Sequence, residues 1–504
     1  MLLSDLRRDL KDVIRHGGDP DITGINFDSR AVRPGDLFVA VSGSDRDGHE
    51  FAAAAVGGGA VALLVERRLP ELEAVAQVVV PDSRRAMAAV ARRFHDFPDR
   101  QLGLIGVTGT DGKTTTAALI ARILDIAGLA PGLISTVDHR VGGTESANPE
   151  HQTTLSSLES QRLLAAMRDA GNQWAVLETS SHGLAHGRVA GFAFDVAAFT
   201  RITSEHLDYH GTVEAYVAAK AGLLDLVAAS SGERPKWVVL PAADDNFAYL
   251  RERAGSLPVL AYGREAGADV RAFDTTASMD GISFRAETPW GADGFESPLV
   301  GEFNLDNCLA AIAVAGALGV SLDDCARGLT SFHGVTGRMQ VVDCGQPFTV
   351  IVDYAHTAEA LAEVLRLLGE YSAGEVSVVF GSAGERDRDK RPAMGAVAAR
   401  RAAYFVIADE DPRGESSDRI AADIRAGALA ERPDAAYAVI HDRREAIRHA
   451  LARALPGDTV LLAGKGHENS IIGRSGETDW DETAVARQTL SSLGYPSFDA
   501  ADDE

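Results

Sequence analysis

The 504-residue chain has few cysteines: Cys308, Cys325 and Cys344, with no pair at CxxC spacing. Neither a disulfide framework nor a structural zinc site fits that usage. No uninterrupted apolar run approaches the ~20 residues of a membrane span. The opening segment MLLSDLRRDLKDVIRHGG is charged throughout and lacks the apolar stretch of a signal peptide, so the cytoplasm is the expected location. Positive charge is also short, with 49 Lys plus Arg against 73 Asp plus Glu and a formal net charge of −24. That balance argues against a general nucleic-acid or anionic-membrane binder, while leaving room for a local phosphate pocket. There is no short-period repeat, and the closing FDAADDE is an acidic tail without an evident role. What is present is ordinary for a folded protein: 45% hydrophobic and 24% charged residues. Glycine is plentiful at 50 residues, so phosphate-cradling turns are expected.

At about 150 residues per domain the length suggests three domains. Residues 1–98 carry short apolar runs, LFVAVSG, AVALLVE and AQVVVP, with helical stretches between or after them. They read as a small α/β domain. Residues 99–333 carry LGLIGV, WAVLE, FDVAAFT and KWVVL, separated by helical stretches. Continuous apolar strands alternating with helices predict a parallel sheet covered on both faces. From about 258 to 300 the pattern shortens and predicts an antiparallel patch, before NLDNCLAAIAVAGAL returns to a helix. Residues 334–504 repeat the alternation with FTVIVDYA, EVSVVFG, AYFVIAD and DTVLLAG, a Rossmann-like pattern. In such sheets ligands bind beyond the carboxyl ends of the strands.

The sharpest motif is GVTGTDGKTTT, residues 106–116. It follows a strand and opens a helix. Backbone N–H groups of a glycine turn and a helix N-terminus together suit triphosphate oxygens. Gly109, Thr110, Asp111, Gly112, Lys113, Thr114 and Thr115 form the candidate ATP loop. Lys113 would reach the outer phosphates and Thr114 would place its hydroxyl on Mg²⁺. Val107 breaks the strict G-x₄-GK[ST] pattern.

The GTDGKTT loop resembles that of the Mur ligase family. Further segments resemble its MurE type, in family order across almost the whole chain: DSRAVRPGDLFVAVSGSDRDGHEF, ETSSHGLAHGRV, FTRITSEHLDYHGTVEAYVAAK, GEFNLDNCLAA, GRMQ, VDYAHTAEAL, FGSAGERDRDKRPAMG, EDPRGE and GKGHE. The resemblance implies three α/β domains: one for a UDP-linked substrate, a central ATP domain and a C-terminal domain for the incoming amino acid. It also implies an ATP-driven amide ligation in peptidoglycan precursor synthesis. A carboxylate of UDP-N-acetylmuramoyl-L-alanyl-D-glutamate would take the γ-phosphoryl group, and a diamino acid would displace phosphate from the acyl phosphate. Positioning and charge stabilisation dominate such chemistry. A monomer is expected.

The residue roles that follow come from the resemblance. Glu178 and His206 would hold Mg²⁺, with Thr114 at the other ion position, and Lys220, carbamylated by CO₂, would bind the second ion. By composition alone His206 reads as a hydrogen-bonded loop histidine and Lys220 as a helix lysine near a C-terminus. Asn304 would meet the adenine. Arg338 would reach the γ-phosphate as the third domain closes, and Asp353 would face the same cleft. Ser29 and Arg30 would contact the uridine nucleotide. Thr153, Thr154, Ser180, His186 and Arg188 would hold the muramoyl peptide, with Leu155 standing where Pro or Gly is usual. Arg386, Asp411, Arg413, Gly464 and Glu468 would form the amino-acid pocket.

The identity of the amino acid stays open at this level. Diaminopimelate-adding relatives carry D-N-P-R, and this chain has Glu410-Asp411-Pro412-Arg413. The retained arginine favours diaminopimelate. The added carboxylate favours the bare terminal amine of lysine or ornithine. Ser382, Glu385 and Asp389 also depart from the commoner form. Two other readings remain: another ligase of the superfamily (folylpolyglutamate synthase or the D-Ala-D-Ala-adding enzyme), or a nonenzymatic ATP-binding scaffold. SSHGL, EHLDYHGT and GKGHE argue against the first, and the presence of Lys113, Glu178, His206, Lys220 and Arg338 argues against the second.

Overall fold

Residues 1–43, 46–150, 152–203 and 205–495 of the computed structural model are described here. The acidic tail lies outside them. The chain divides into two compact units, one of Met1–Thr275, Phe284–Glu296 and Phe303–Ser331, the other of Thr276–Ser283, Ser297–Glu302 and Phe332–Glu504.

The first unit holds two sheets. A five-stranded sheet uses Asp36–Val39, Ala62–Val65 and Ala76–Val79 as its parallel centre. Gly24–Asn26 extends it in parallel, and Ile14–His16 closes the other edge antiparallel. The centre is built from the apolar runs read in the sequence. Its helix Ser83–Phe94 is capped by the Asp82 side chain and ends in Arg92 and Arg93, which suit the negative, C-terminal end of the helix dipole. Arg92 donates to the buried Asp99 at 2.6 Å, and Asp99 also accepts the Ala193 N–H at 3.0 Å. That carboxylate ties the small sheet's helix to the larger sheet's framework.

The larger sheet has eleven strands among the described residues, in the spatial order Gly291–Ser297, Gly281–Thr288, Val270–Ser278, Val259–Gly263, Trp237–Pro241, Val196–Phe199, Gly103–Thr108, Trp174–Glu178, Pro131–Ile134, Asp138–Val141 and Thr144–Ala147. Gly103–Thr108 lies at its middle, in parallel pairing with Trp174–Glu178 on one side and Val196–Phe199 on the other. Every residue of Gly103–Thr108 is buried. This is why the run has no polar alternation: helices cover both faces. The expected antiparallel patch begins later than position 258. Val259–Gly263 pairs parallel with Trp237–Pro241, and Val270–Ser278 pairs parallel with Val259–Gly263. Val270–Ser278, Gly281–Thr288 and Gly291–Ser297 then lie side by side at this edge, joined by two-residue turns, and antiparallel pairing is found at the other edge as well, where Asp138–Val141 joins Pro131–Ile134 and Thr144–Ala147. The core includes Leu104, Leu177, Phe194, Phe199 and Leu223, and Leu155 is part of it.

The second unit has a six-stranded sheet. Thr349–Asp353, Thr459–Ala463, Val376–Phe380, Tyr404–Ile407 and Tyr437–Val439 are parallel in that spatial order, with Gln340–Val341 antiparallel at the edge. One core packs against each face of this sheet, the two centred on Phe380 and Phe405 and on Val350 and Leu462. A hairpin, Ser470–Gly473 with Gly476–Asp479, follows the last parallel strand. Among the described residues no helix is long and apolar enough to cross a membrane.

Candidate active site

The strand Gly103–Thr108 delivers the glycine turn to the sheet's carboxyl edge, and the helix Lys113–Ile126 starts directly after it. Gly112 has φ +82, and a Cβ there would run into the Asn307 side chain. Gly109 has φ +153, and a Cβ there would collide with the Thr200 hydroxyl. Both positions require the absence of a side chain. Thr200 Oγ1 donates to the Asp111 carbonyl at 2.6 Å, and Thr110 Oγ1 lies 2.9 Å from Tyr216 Oη. The turn is thus braced from the neighbouring strand and a distant helix. Lys113 Nζ donates to the Gly109 and Thr110 carbonyls at 3.2 and 2.6 Å.

Glu178 ends its strand and is buried. Its carboxylate accepts the Thr114 hydroxyl at 3.0 Å, the Thr136 N–H at 2.8 Å and the Thr136 hydroxyl at 3.2 Å. Thr136 Oγ1 also lies within hydrogen-bond distance, 3.1 Å, of Thr153 Oγ1. Thr154 donates to the Glu178 carbonyl and accepts the Ser180 N–H, while Arg188 holds the Thr154 carbonyl at 2.6 Å. Thr114 and, through Thr136, Thr153 thus meet the Glu178 carboxylate, while Thr154, with Ser180 and Arg188 bonded to it, meets the Glu178 backbone carbonyl. Thr136 belongs to this group and carries no motif that marks it in the sequence.

Lys220 was expected near a helix C-terminus. The helix instead runs Val213–Ala229, and Lys220 sits in its middle, buried. Helix-tolerant Ala221, Leu223 and Leu224 carry the helix past the lysine. Lys220 Nζ donates to the Gly109 carbonyl at 2.5 Å and lies 4.4 Å from the Tyr216 ring centroid. Burial, and then the nearby Lys113 cation, hold its ammonium well below the usual lysine range.

His206 has φ +54 and precedes the short helix Leu207–His210. Its ring centroid lies 4.6 Å from that of His182 and its Nε2 3.5 Å from Glu205. The His186 ring lies tilted against that of Tyr209, with centroids 5.1 Å apart. Burial and the neighbouring His206 and His210 push His182 down to about 4. Among the described residues no three His, Cys, Asp or Glu side chains gather closely enough to hold a metal by themselves. Asn304 is buried, and its side-chain oxygen accepts from Asn307, which in turn accepts the Thr116 hydroxyl. Ser29 and Arg30 lie in a turn of the small sheet, where Arg30 pairs with Asp28 at 2.7 Å. Among the described residues no hydrogen bond joins them to the Glu178 group.

In the second unit, Asp353 ends its strand. It accepts the Met339 and Ala355 N–H groups, each at 2.8 Å. Burial raises its carboxyl, against the pull of the Arg338 cation. Arg338 lies over the Tyr354 ring at 4.8 Å. The amino-acid candidates Asp411 and Glu468 meet at Lys465, whose Nζ lies 2.9 Å from one carboxylate and 2.6 Å from the other. Lys465 is a residue the sequence reading missed, although it lies inside GKGHE. Asp411 also accepts the Ile472 N–H at 2.9 Å, and Arg413 donates its own N–H to the Ile472 carbonyl at 2.8 Å. Arg413 lines a cleft of about 410 Å³ with Ser416, Gly473 and Arg474, and its Nε is buried without a hydrogen-bond partner. Gly464, with φ +104, lies against Glu410. Arg386 is exposed on the loop before the helix Lys390–Arg401 and joins none of these bonds.

A glycine turn at the carboxyl edge of a parallel sheet, with lysine and hydroxyl at the helix start, defines a nucleotide-binding α/β protein. Comparison with known proteins narrows that class. The model described as "Mur ligase family, catalytic domain" matches residues 21–95, "Mur ligase middle domain" matches 107–315, and "Mur ligase, glutamate ligase domain" matches 337–466. The UDP-N-acetylmuramyl-tripeptide synthetase of Roseiflexus sp. (strain RS-1) is 44% identical over 492 residues, covering 95% of this chain and 96% of the relative. The UDP-N-acetylmuramoyl-L-alanyl-D-glutamate–2,6-diaminopimelate ligase of Geobacillus thermodenitrificans (strain NG80-2) is 44% identical over 478 residues, with 95% and 96% covered. A solved structure of a ligase of the latter name superposes with a TM-score of 0.68 at 31% identity, covering 98% of this chain and 99% of that one. The chain belongs to the Mur ligase family, a family of ATP-dependent acid–amino-acid ligases.

Proposed function

We propose that the protein joins meso-diaminopimelate to UDP-N-acetylmuramoyl-L-alanyl-D-glutamate at the expense of ATP, in the cytoplasm, as a step of peptidoglycan precursor synthesis. The carboxylate of the peptide attacks the γ-phosphorus, ADP leaves, and the amine then displaces phosphate from the acyl phosphate with loss of a proton. The observation that carries this reading is the Lys113–Thr114–Glu178 arrangement at the glycine turn, in a chain whose relatives above bear the names of such ligases.

In this reading Gly109 to Thr115 cradle the phosphates, Lys113 neutralises them and Asn304 holds the base. Thr153, Thr154, Ser180, His186 and Arg188 orient the muramoyl peptide, and Ser29 and Arg30 take the uridine nucleotide. Arg338 and Asp353 serve the nucleotide from the third domain. The domains are 1–98 for the UDP-linked substrate, 99–333 for ATP and 334–504 for the amino acid.

A hydroxyl and a buried carboxylate suit Mg²⁺, a hard cation that prefers oxygen and retains water. Thr114, Glu178, His206 and carbamylated Lys220 would supply the protein donors for two such ions. The metal would neutralise charge on the transferring phosphoryl group. The small number of protein donors fits an ion completed by phosphate oxygens and water. Arg413 supports diaminopimelate over lysine and ornithine, because a buried Nε without a partner beside a cleft suits a second carboxylate.

The test is phosphate release from ATP with UDP-N-acetylmuramoyl-L-alanyl-D-glutamate and, separately, meso-diaminopimelate, L-lysine and L-ornithine. Release that is strongest with meso-diaminopimelate is expected. Release only with a folate and glutamate would overturn the assignment.

A further inference from the structure

The Asp411 carboxylate is the feature of this chain that pulls against diaminopimelate. Its surroundings reverse that pull. Asp411 Oδ1 is already engaged twice, by Lys465 Nζ at 2.9 Å and by the Ile472 N–H at 2.9 Å. The Lys465 side chain is 1% exposed, against 11% for Asp411 and 25% for Glu468. The ammonium therefore spends its charge on these two carboxylates, and Glu468 is the more open of the pair.

We infer that Lys465 is a positioning and specificity-determining residue. It cancels the charge that Asp411 adds, and through Asp411 it fixes the hairpin Ser470–Gly473 beside Arg413. The inference rests on the diamino-acid ligation proposed above. With Lys465 in place, Asp411, Glu468, Lys465 and Arg413 sum to zero charge. A neutral set matches the distal end of diaminopimelate, where an amine and a carboxylate sit on one carbon. It matches poorly the lone cation of lysine or ornithine. The geometric part is equally specific. Asp411 accepts from the Ile472 N–H while the Arg413 N–H donates to the Ile472 carbonyl, so both edges of one hairpin residue are held. The next residues, Gly473 and Arg474, are walls of the cleft that Arg413 lines.

The experiment uses the full chain and phosphate release with meso-diaminopimelate and L-lysine, on wild type, Asp411→Asn, Lys465→Met and the double variant. Lys465→Met keeps the buried stem and removes the charge. It is expected to raise KM for meso-diaminopimelate by about tenfold or more, and to shift the kcat/KM ratio toward L-lysine, with KM for ATP unchanged. Asp411→Asn is expected to raise KM for both amino acids by a common factor, leaving their ratio within about threefold. In the double variant the selectivity shift of Lys465→Met should largely disappear, because the carboxylate it left uncompensated is gone.

Two results overturn the inference. One is a shift of about tenfold toward meso-diaminopimelate in Asp411→Asn, which would mean Asp411 reads the amine directly. The other is strict additivity in the double variant. If circular dichroism shows Lys465→Met unfolded, the Asp411→Asn ratio decides alone. A wild type inactive with every diamino acid would instead strike the ligation reading itself, and the two failures are distinct.

Discussion

The Thr114 hydroxyl donates to the Glu178 carboxylate at 3.0 Å, although 64 positions separate them in the chain. Parallel pairing of Gly103–Thr108 with Trp174–Glu178 makes this possible, since it sets Glu178 opposite Val107 just before the glycine turn. One strand supplies the turn and its neighbour supplies the acid. A cation bound there would lie between the phosphate loop and the threonines expected to orient the peptide.

Glu178→Gln should therefore keep the fold while removing the charge. We expect kcat for phosphate release to fall by about 10²–10³, the scale of losing one preorganised electrostatic group. Thr114→Ser, which keeps the hydroxyl, should retain most of the rate, and Thr114→Ala should not. Steady-state kinetics at saturating Mg²⁺ checks this. A Glu178→Gln variant with wild-type kcat would remove Glu178 from the chemistry.

How much of this was open to a reader of the sequence depends on the physics of each element. Buried parallel strands such as WAVLE and DTVLLAG announce themselves, because both faces are covered and no polar alternation is needed. Pro131–Ile134 does not: its Pro-Gly start reads as a turn, yet it lies parallel to Trp174–Glu178. The edge hairpin of Asp138–Val141 and Thr144–Ala147 is polar and only partly covered, so it carries no apolar signal. The glycine turn was legible because it is local. The Thr136–Glu178 and Lys465–Asp411 pairs were not, because sheet order brings them together and sequence spacing does not encode sheet order. Lys220 was misplaced on its helix because the small residues after it resemble an ending.

In the second unit the Arg443–Glu482 pair is nearly inaccessible to solvent, with a shortest separation of 2.6 Å. Arg443 also donates to the Ala463 carbonyl at 2.8 Å, and Trp480 Nε1 donates to Glu482 at 2.6 Å. Removing one partner strands the other charge away from water. Arg443→Met should cost about 3–5 kcal/mol, whereas Arg443→Met with Glu482→Leu should cost less, since no buried charge is left alone. Urea unfolding of the three proteins measures it. Equal losses in the single and double variants would show that packing, not charge, is what matters there.

Glu410 gives a pH signature. It is buried, its Oε2 has no hydrogen-bond partner, and burial raises its carboxyl above the usual 4.5, against the cations Lys390, Arg443 and Lys465 and with help from Glu468. The unfolded chain loses this proton first as pH rises. Unfolding then releases a proton, so the group costs stability progressively from pH 4.5 up to its folded value and no further beyond it. Glu410→Gln should raise the melting temperature at neutral pH, with a gain that shrinks as pH falls toward 4.5. Thermal melts across that range report it. A gain independent of pH would mean Glu410 titrates in the fold as it does in water.

Lys220 tests whether CO₂ is part of the enzyme. A carbamate forms when an uncharged amine nitrogen adds to the carbon of CO₂ and gives up a proton to water. The reaction therefore needs a lysine that is neutral near physiological pH. Burial and the adjacent Lys113 cation favour that form. Lys113 would in turn be relieved by the new anion, so the modification answers the electrostatic problem that the unmodified lysine poses. Native mass spectrometry in bicarbonate should show the wild type heavier by one CO₂, a gain absent from Lys220→Met. Phosphate release should fall when CO₂ is stripped from the buffer and recover when bicarbonate is restored, while Lys220→Met should stay inactive in both. Full activity of the wild type in CO₂-free buffer, with no added mass, would assign the lysine to holding the Gly109 carbonyl alone.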